Sequence, residues 1–243
     1  DFEAALATAQ ARCGVIPDAA VAPIAAACRA SLIDLPALAA SAASAGNLAI
    51  PLVKQLTQRV KNTDPDAARY VHWGATSQDA IDTGLMLQLQ QALGETETRL
   101  AQLIRVLAEQ VKRHQHTLLP GRTWMQHALP ITYGLKLAGT LDALLRWQER
   151  LVQMRSRVPA LQFGGAAGTL ASLKEKGPEV ALALAAELNL TLPDTPWHSQ
   201  RDRLIELASW YAGLCGTLGK FANDFALMMQ TEVAEVSEPI AEG

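Results

Sequence analysis

The sequence predicts an all-α protein built around long helices, and two observations carry this prediction. The residues are 49% hydrophobic but only 5% aromatic, and most of the hydrophobic ones are Ala and Leu, which favours closely packed helices over sheets of β-branched and aromatic side chains. Apolar residues also recur every seven positions over long stretches, which is the period of helices that pack along one another. Because long helices cannot bury their apolar faces alone, we expect a bundle.

The first 70 residues are expected to form a small helical domain. They are rich in Ala, and several Gly and Pro residues divide them into short helices, because each of these ends a helix or begins a new one. The residues concerned are Gly14, Pro17, Pro23, Pro36, Gly46 and Pro51. A turn over residues 62–66 follows, and the domain boundary is placed after residue 70, so that residues 71–243 form the long-helix domain.

A polar stretch, residues 71–84, leads into the first long helix. Thr76 and Asp79 have the T-x-x-D spacing of a capping box, in which the hydroxyl accepts a hydrogen bond from a backbone N–H and the acid reaches back to the cap residue. A helix start of this kind presents free N–H groups and the positive end of the helix dipole, which suit a carboxylate or a phosphate. An isolated capping box is more often only a cap, so this motif alone does not establish a site.

Three long helices are predicted by the seven-residue repeats. The first runs from about Asp79 to His116, with Met86, Leu93, Leu100 and Leu107 at intervals of seven. The second follows a polar connection over 121–130, and the third extends from about Ser199 to Val236. A Gly-rich segment and a shorter helix separate the second from the third. These intervening segments are residues 163–169 and about 179–188.

Charge and cysteine usage argue against several classes of protein. The formal net charge of −3 gives no general attraction for nucleic acid or for an anionic membrane surface, so neither is an expected partner. No apolar run reaches the roughly 18 residues that a membrane-spanning helix needs. Cys13, Cys28 and Cys215 are odd in number and far apart, which argues against a disulfide framework or a zinc knuckle. We therefore expect a cytoplasmic protein.

Two weaker patterns support neither a metal site nor a cofactor site. His114 and His116 form an H-x-H pair at a helix end, but two histidines alone do not make a closed zinc site, so we expect a solvated helix end. The glycines within 164–168 lack the preceding strand and the spacing that dinucleotide binding requires. No metal and no cofactor are therefore predicted. Three polar segments at helix ends remain as parts of a composite site: residues 72–84, 121–130 and 197–203.

Taken together, four segments resemble the fumarase/aspartase superfamily, which includes the argininosuccinate and adenylosuccinate lyases. They are His72–Asp79 followed by Asp82 and Thr83, Gly121–Pro130, Gly165–Thr169 and Gln200–Asp202. They occur in the order typical of the superfamily, from about residue 65 onward. Within it the chain is most similar to the lactonising cycloisomerases, which act on a carboxylated muconate.

This resemblance implies a homotetramer whose long helices form a shared central bundle, with each active site built from three subunits and without a cofactor. The implied chemistry adds a carboxylate oxygen of a small tricarboxylate substrate to a double bond of the same molecule. The carbanion that forms beside a carboxylate is then protonated. Donors and positive charge must stabilise the resulting aci-carboxylate.

The resemblance also implies site residues. Those expected to bind substrate are Thr76, Ser77, Thr123, Trp124, Gln126, Gln200 and Arg201. The lyases carry a His directly after their Gly-Arg-Thr, where it takes part in proton transfer, but this chain has Trp124. Because indole is neither an acid nor a base, His72 and His127 are the catalytic candidates. A structural role remains open for each, as a loop histidine or as a partner near a helix start.

The signature loop of the superfamily, with its catalytic Ser and a Lys, would follow Gly243. Residues 1–243 are thus expected to belong to a longer enzyme and to be inactive without that loop. Two alternatives stay open. One is a lyase of the same superfamily that releases fumarate. The other is a non-catalytic helical assembly domain, since the seven-residue periodicity alone explains most of the sequence.

Overall fold

The computed structural model describes residues 1–239 and confirms the all-α fold class. Within these residues there are eight α-helices and one antiparallel sheet of two strands. The helices are α1 (Phe2–Arg12), α2 (Val21–Ala27), α3 (Leu35–Ala45), α4 (Ala49–Thr63), α5 (Ser77–Arg113), α6 (Tyr133–Arg155), α7 (Gly177–Leu188) and α8 (Asp202–Met228). The strands are β1 (Leu118–Thr123) and β2 (Gln126–Thr132).

The chain divides into two compact units. The first unit comprises Asp1–Ala92 and Ser156–Asp202, and the second comprises Leu93–Arg155 and Arg203–Gly243. The first part of α5 therefore belongs to one unit and the rest of it to the other. The domain boundary predicted after residue 70 does not coincide with a limit of either unit. The division into domains at that residue stays a prediction.

The N-terminal helices of the first unit follow the Gly and Pro positions. Asp34 caps α3 by accepting a hydrogen bond from the N–H of Ala37 at 3.0 Å, and Pro36 lies in the first turn, where its missing N–H is not needed. Gly46 ends that helix with a φ of 64°, a left-handed conformation that glycine adopts without steric cost. The buried apolar core of this region consists of Ala7, Ile16, Ala20, Ile24, Ala27, Leu56, Val60, Ala67 and Ala68.

The first long helix is continuous, as predicted. α5 has 37 residues, which corresponds to about 55 Å at 1.5 Å per residue. The residues that define its seven-residue repeat are all buried, which confirms that they mark its apolar face. They are Met86, Leu93, Leu100 and Leu107.

The polar connection predicted over residues 121–130 is instead part of a β-hairpin. β1 pairs with β2 so that Thr123 lies opposite Gln126, which leaves Trp124 and Met125 as a two-residue turn. Both have a positive φ, 53° and 59°, and a type I′ turn requires that sign at both positions. Such turns are usually Asn-Gly, Asp-Gly or Gly-Gly, so the sequence lacks the usual hairpin signal here.

In the second unit, α8 ends earlier than the predicted Val236. Its last residue is Met228, and the N–H of Glu235 returns to the carbonyl oxygen of Met228 at 3.0 Å. Ala234 has a φ of 48° within this reversal. Earlier in the helix, the ring of Trp147 on α6 occupies the space that a side chain on Gly213 would need.

Residues 1–239 show neither a membrane-spanning helix nor a metal-binding cluster. This part of the chain has no helix long and apolar enough to cross a membrane. It also has no group of three or more His, Cys, Asp or Glu residues placed to hold a metal ion. His114, at the end of α5, contacts the hydroxyl of Thr117 at 3.1 Å through Nδ1.

Candidate functional site

One buried carboxylate joins the start of α5 to the Gly-rich loop. Asp79 is fully buried, and its Oδ2 accepts hydrogen bonds from the N–H groups of Thr76 and Gly165, both at 2.9 Å. Its Oδ1 accepts from the N–H of Gly164 and from Nε2 of Gln162, both at 3.0 Å. These four donors compensate for burying a charge, because hydrogen bonds to an ionised acceptor are the strong ones.

The capping box predicted at Thr76 and Asp79 forms only in part. The acid reaches back to the N–H of Thr76, as predicted, but the N–H of Asp79 donates to the carbonyl oxygen of Thr76 at 3.0 Å and not to its hydroxyl. Among residues 1–239, the half-buried hydroxyls of Thr76 and Ser77 have no hydrogen-bond partner. Both therefore remain available to a ligand at the positive end of α5.

The next turn of α5 binds two more parts of the chain. Asp82 is 1% exposed. Its carboxylate accepts hydrogen bonds from the two terminal nitrogens of the Arg201 guanidinium, at 2.6 and 2.8 Å. The hydroxyl of Thr83 donates to the carbonyl oxygen of Gln162 at 2.8 Å and accepts its N–H at 3.0 Å. The start of α5 thus joins three polar segments within one chain: residues 72–84, 162–169 and 197–201.

The charge of Arg201 is engaged inside the protein. The hydrogen bonds to Asp82 raise the pKa of the guanidinium, and its planar group also lies over the ring of Trp197 at 5.2 Å. A bidentate carboxylate pair fixes both position and orientation. The predicted role of Arg201 in binding substrate therefore stays a prediction, and its contacts favour holding the segment that carries Gln200.

His198, which the sequence analysis placed in segment 197–203 without singling it out, lies beside the side chain of Gln162. Oε1 of Gln162 accepts the N–H of Trp197 at 2.6 Å, while Nε2 donates to Asp79, so the two ends of the amide are identified by their partners. Nδ1 of His198 lies 3.5 Å from that Nε2, and so it faces a donor. A neutral His198 consequently carries its proton on Nε2. Its position two residues before Gln200 was the one signal available in the sequence.

His72 lies in the loop before α5 and is held from α1. Its Nδ1 is 2.7 Å from Oε1 of Glu3, and the two side chains are only 15% and 10% exposed. Its φ is 60°, a left-handed conformation that costs of order 1–3 kcal/mol for a residue other than glycine and is common at functional sites. The next residue is held too, since the carbonyl oxygen of Trp73 accepts a hydrogen bond from Nε2 of Gln10 at 2.6 Å.

The Gly-rich loop packs directly against this segment. The φ of Gly165 is 67°, and a side chain there would bring a carbon within 3.2 Å of the carbonyl oxygen of Gly74. Gly74 has a φ of 73° itself, and a side chain on it would collide with Leu173. The glycines allow the two backbones to approach closely.

The remaining predicted site residues lie on the β-hairpin of the second unit. The side chain of Trp124 is 96% exposed, and its three companions are exposed as well. They are Thr123, Gln126 and His127. The first unit therefore contains one group of the predicted residues, and the second unit contains the other. The first group is His72, Thr76, Ser77, Gln200 and Arg201.

Close to its turn, the hairpin is tied to the chain that follows α8. Arg122 donates two hydrogen bonds to the carboxylate of Glu235, at 2.6 and 2.9 Å. This hydrogen-bonded pairing raises the pKa of the Arg122 guanidinium. The pair fixes the strand that leads to Thr123 and Trp124.

Comparison with known proteins identifies close relatives over the whole chain. The family model described as Lyase matches residues 1–243. The chain is 59% identical over 243 residues to the 3-carboxy-cis,cis-muconate cycloisomerase of Pseudomonas aeruginosa, and it covers 53% of that protein. It is 55% identical to the 3-carboxy-cis,cis-muconate cycloisomerase of Bradyrhizobium diazoefficiens and covers 54% of it. In both comparisons 100% of this chain is aligned.

A solved structure gives the same result. The 3-carboxy-cis,cis-muconate lactonizing enzyme from Pseudomonas putida matches with a TM-score of 0.97 at 55% identity, over 100% of this chain and 55% of that one. The chain spans about half the length of the curated relatives it matches.

Proposed function

The chain belongs to the lyase family whose model matches it from end to end, and from this premise we propose that the protein lactonises 3-carboxy-cis,cis-muconate to a carboxymuconolactone. The observation that carries the proposal is the similarity to cycloisomerases of this name along the entire chain. The start of α5 supports it, because the hydroxyls of Thr76 and Ser77, which have no hydrogen-bond partner among residues 1–239, suit a substrate with several carboxylates at this positive helix end.

The proposed reaction forms one C–O bond, removes one C=C double bond and takes up one proton. A carboxylate oxygen of the substrate forms a C–O bond with a carbon of the conjugated double bond, and the displaced electron pair moves to the adjacent carbon, beside a second carboxylate. The carbanion is held as an aci-carboxylate until a proton from the enzyme reaches the carbon. A substrate with three negative charges thereby becomes a lactone with two, and solvent restores the proton to the enzyme.

Each predicted residue has a role that matches its chemistry. Thr76 and Ser77 donate to a substrate carboxylate, and His72 and His127 are the candidates for delivering the proton. Trp124 can only donate a hydrogen bond, through its indole N–H. The remaining binding residues supply amide, hydroxyl or guanidinium donors. They are Thr123, Gln126, Gln200 and Arg201.

The proposal includes the assembly and the surroundings of the enzyme. It acts in the cytoplasm as a homotetramer without a cofactor, and each active site combines segments of three subunits. The exposed apolar side chains of the hairpin support assembly, because a soluble protein rarely leaves such a group uncovered. They are Leu118, Trp124, Met125 and Leu129.

Loss of the ultraviolet absorbance of 3-carboxy-cis,cis-muconate tests the proposal, since lactone formation breaks the conjugation. The natural full-length protein is expected to bleach the substrate while taking up one proton for each molecule. Failure to do so, together with cleavage of argininosuccinate or adenylosuccinate to fumarate, would establish the lyase alternative. An absence of any binding to the muconate would favour the non-catalytic assembly domain.

Two hydroxyl variants test the site itself. Thr76→Ala and Ser77→Ala each remove one donor to a charged group, which is worth about 1.5–3 kcal/mol or roughly 10- to 160-fold in kcat/KM. Thr98→Ala is the matched control, because Thr98 is an exposed residue on α5 whose hydroxyl donates to the carbonyl oxygen of Gly94 within the same helix. Equal rates for the control and both site variants would exclude these hydroxyls from the site.

A further inference from the structure

Two side chains of α1 hold consecutive residues of the loop before α5. Glu3 contacts Nδ1 of His72 at 2.7 Å, and Gln10 donates to the carbonyl oxygen of Trp73 at 2.6 Å. Glu3 and Gln10 are seven residues apart and so lie on the same face of α1, two turns from each other. The helix therefore fixes both the backbone of this loop and the ring of its histidine.

The contact with Glu3 determines which nitrogen of His72 carries a proton. An ionised carboxylate can only accept a hydrogen bond, so the hydrogen in the 2.7 Å contact belongs to Nδ1. Among residues 1–239, Nε2 of His72 has no hydrogen-bond partner. Nε2 is consequently the nitrogen at which His72 can release and recover a proton.

Burial makes this carboxylate depend on the histidine. Oε2 of Glu3 is buried and has no hydrogen-bond partner among the described residues. A buried carboxylate is costly unless it is paired, and in this part of the chain the imidazole is the partner it has. Burial therefore favours keeping the hydrogen bond between Nδ1 of His72 and Oε1 of Glu3.

We propose that Glu3 is a positioning residue that keeps Nδ1 of His72 protonated and leaves Nε2 to deliver the proton in the proposed reaction. In that step, Nε2–H of the imidazolium is broken and a C–H bond forms at the carbon beside the substrate carboxylate. The remaining neutral ring keeps its proton on Nδ1, which still donates to Oε1 of Glu3, and solvent returns a proton to Nε2. This inference rests on the proposed function.

Nitrogen-15 magnetic resonance of the histidine side chains tests the pairing without any substrate. In the natural full-length protein, the His72 signal, identified by its loss in His72→Gln, is expected to show the Nδ1–H form when the ring is neutral. Glu3→Ala should convert it to a mixture of the two tautomers, whereas Glu3→Gln, whose amide oxygen can still accept, should preserve it. A neutral wild-type ring with its proton on Nε2, or no change in Glu3→Ala, would overturn the proposal.

Kinetics with the muconate test the consequence for catalysis. A general acid contributes about 10²–10⁴-fold, so we expect Glu3→Ala to lower kcat by roughly 10- to 100-fold and to change KM less than twofold. Glu187→Gln is the matched control, since Glu187 on α7 pairs with Arg12 of α1 at 3.0 Å and makes no contact with His72. It should leave both constants unchanged.

A double variant separates positioning from a general structural effect. In a His72→Gln background, Glu3→Ala should cause no further loss of kcat, because residues that act as a unit are not additive. A further loss of tenfold in that background would overturn the positioning role while leaving the proposed function intact. A wild-type protein that fails to bleach the muconate would instead overturn the proposed function, and with it this assignment.

Discussion

Replacing Asp79 by Asn tests whether one carboxylate holds the site together. The wild-type side chain accepts from four donors, two at each oxygen. Asn has nearly the same shape but only one oxygen, and its NH₂ group would face two of those donors. In either orientation, two buried donors therefore lose their acceptor.

The size of the effect follows from this count. A hydrogen bond to a charged group contributes about 1.5–3 kcal/mol, so two losses at a fully buried residue amount to about 3–6 kcal/mol. Typical domains have a free energy of unfolding of about 5–15 kcal/mol. Asp79→Asn is therefore expected to remove a large part of the stability of the first unit and to release the loop that carries Gly164 and Gly165.

Urea unfolding followed by far-ultraviolet circular dichroism measures the loss, and amide hydrogen exchange at Gly164 and Gly165 locates it. Asp142→Asn is the matched control, because Asp142 pairs with Arg146 one turn along α6 on an exposed surface, where such a pair contributes about 0.5 kcal/mol or less. If Asp79→Asn unfolded at the same urea concentration and with the same slope as this control, the tethering role of Asp79 would be wrong.

Three further predictions concern the hairpin, the second unit and the thiols. Replacing Trp124 and Met125 by Asn-Gly should relieve about 1–2 kcal/mol of left-handed strain at each position and raise the melting temperature, but lower kcat/KM for the muconate; unchanged activity would exclude Trp124 from the site. Although burial raises the pKa of Asp224, its hydrogen bonds to two lysines outweigh this effect and the pKa lies below 3.8. A lowered folded-state pKa gives stability that is present above the unfolded value and lost as the pH falls through the folded one, so acid titration of Asp224→Asn should show a smaller loss below pH 3.8 than wild type, and an equal loss would contradict it. Burial raises the pKa of Cys28 to about 11, so iodoacetamide at pH 8 should modify the exposed Cys215 first, because the thiolate is the reacting form; equal rates in peptide mass spectra would refute this.

The long helices were predictable because their signal is local and repeats. The repeat through Met86 and Leu93 indicates the same face turn after turn, and the helix follows it. The hairpin was not predictable, since Trp124 and Met125 adopt a conformation that neither residue prefers. The end of α8 was predicted too late for a related reason. The chain reverses at Ala234, which has a left-handed conformation, and the sequence has no glycine there to indicate the end of a helix.

Candidate site residues could be predicted only where they belong to a motif. Thr76 and Ser77 come from such a segment and stay predictions, whereas the contact between Glu3 and His72 could not be predicted, because 69 residues separate them in the chain. Gln162 similarly reaches Asp79 across 83 residues. No spacing rule connects such pairs, so their contacts follow from packing of the complete unit and not from a local pattern.

Trp124 is not titratable, but two histidines lie close to the residues at the start of α5. The first unit contains His72 and His198, and their partners give them opposite tautomers when neutral. The carboxylate of Glu3 requires a donor and places the proton of His72 on Nδ1, while the amide of Gln162 supplies a donor and places the proton of His198 on Nε2. A substrate carboxylate can accept from the fixed N–H of His198, and a carbanion needs the proton that His72 can release. The two histidines therefore suit the two separate requirements of the proposed reaction, which are binding an anion and protonating a carbon.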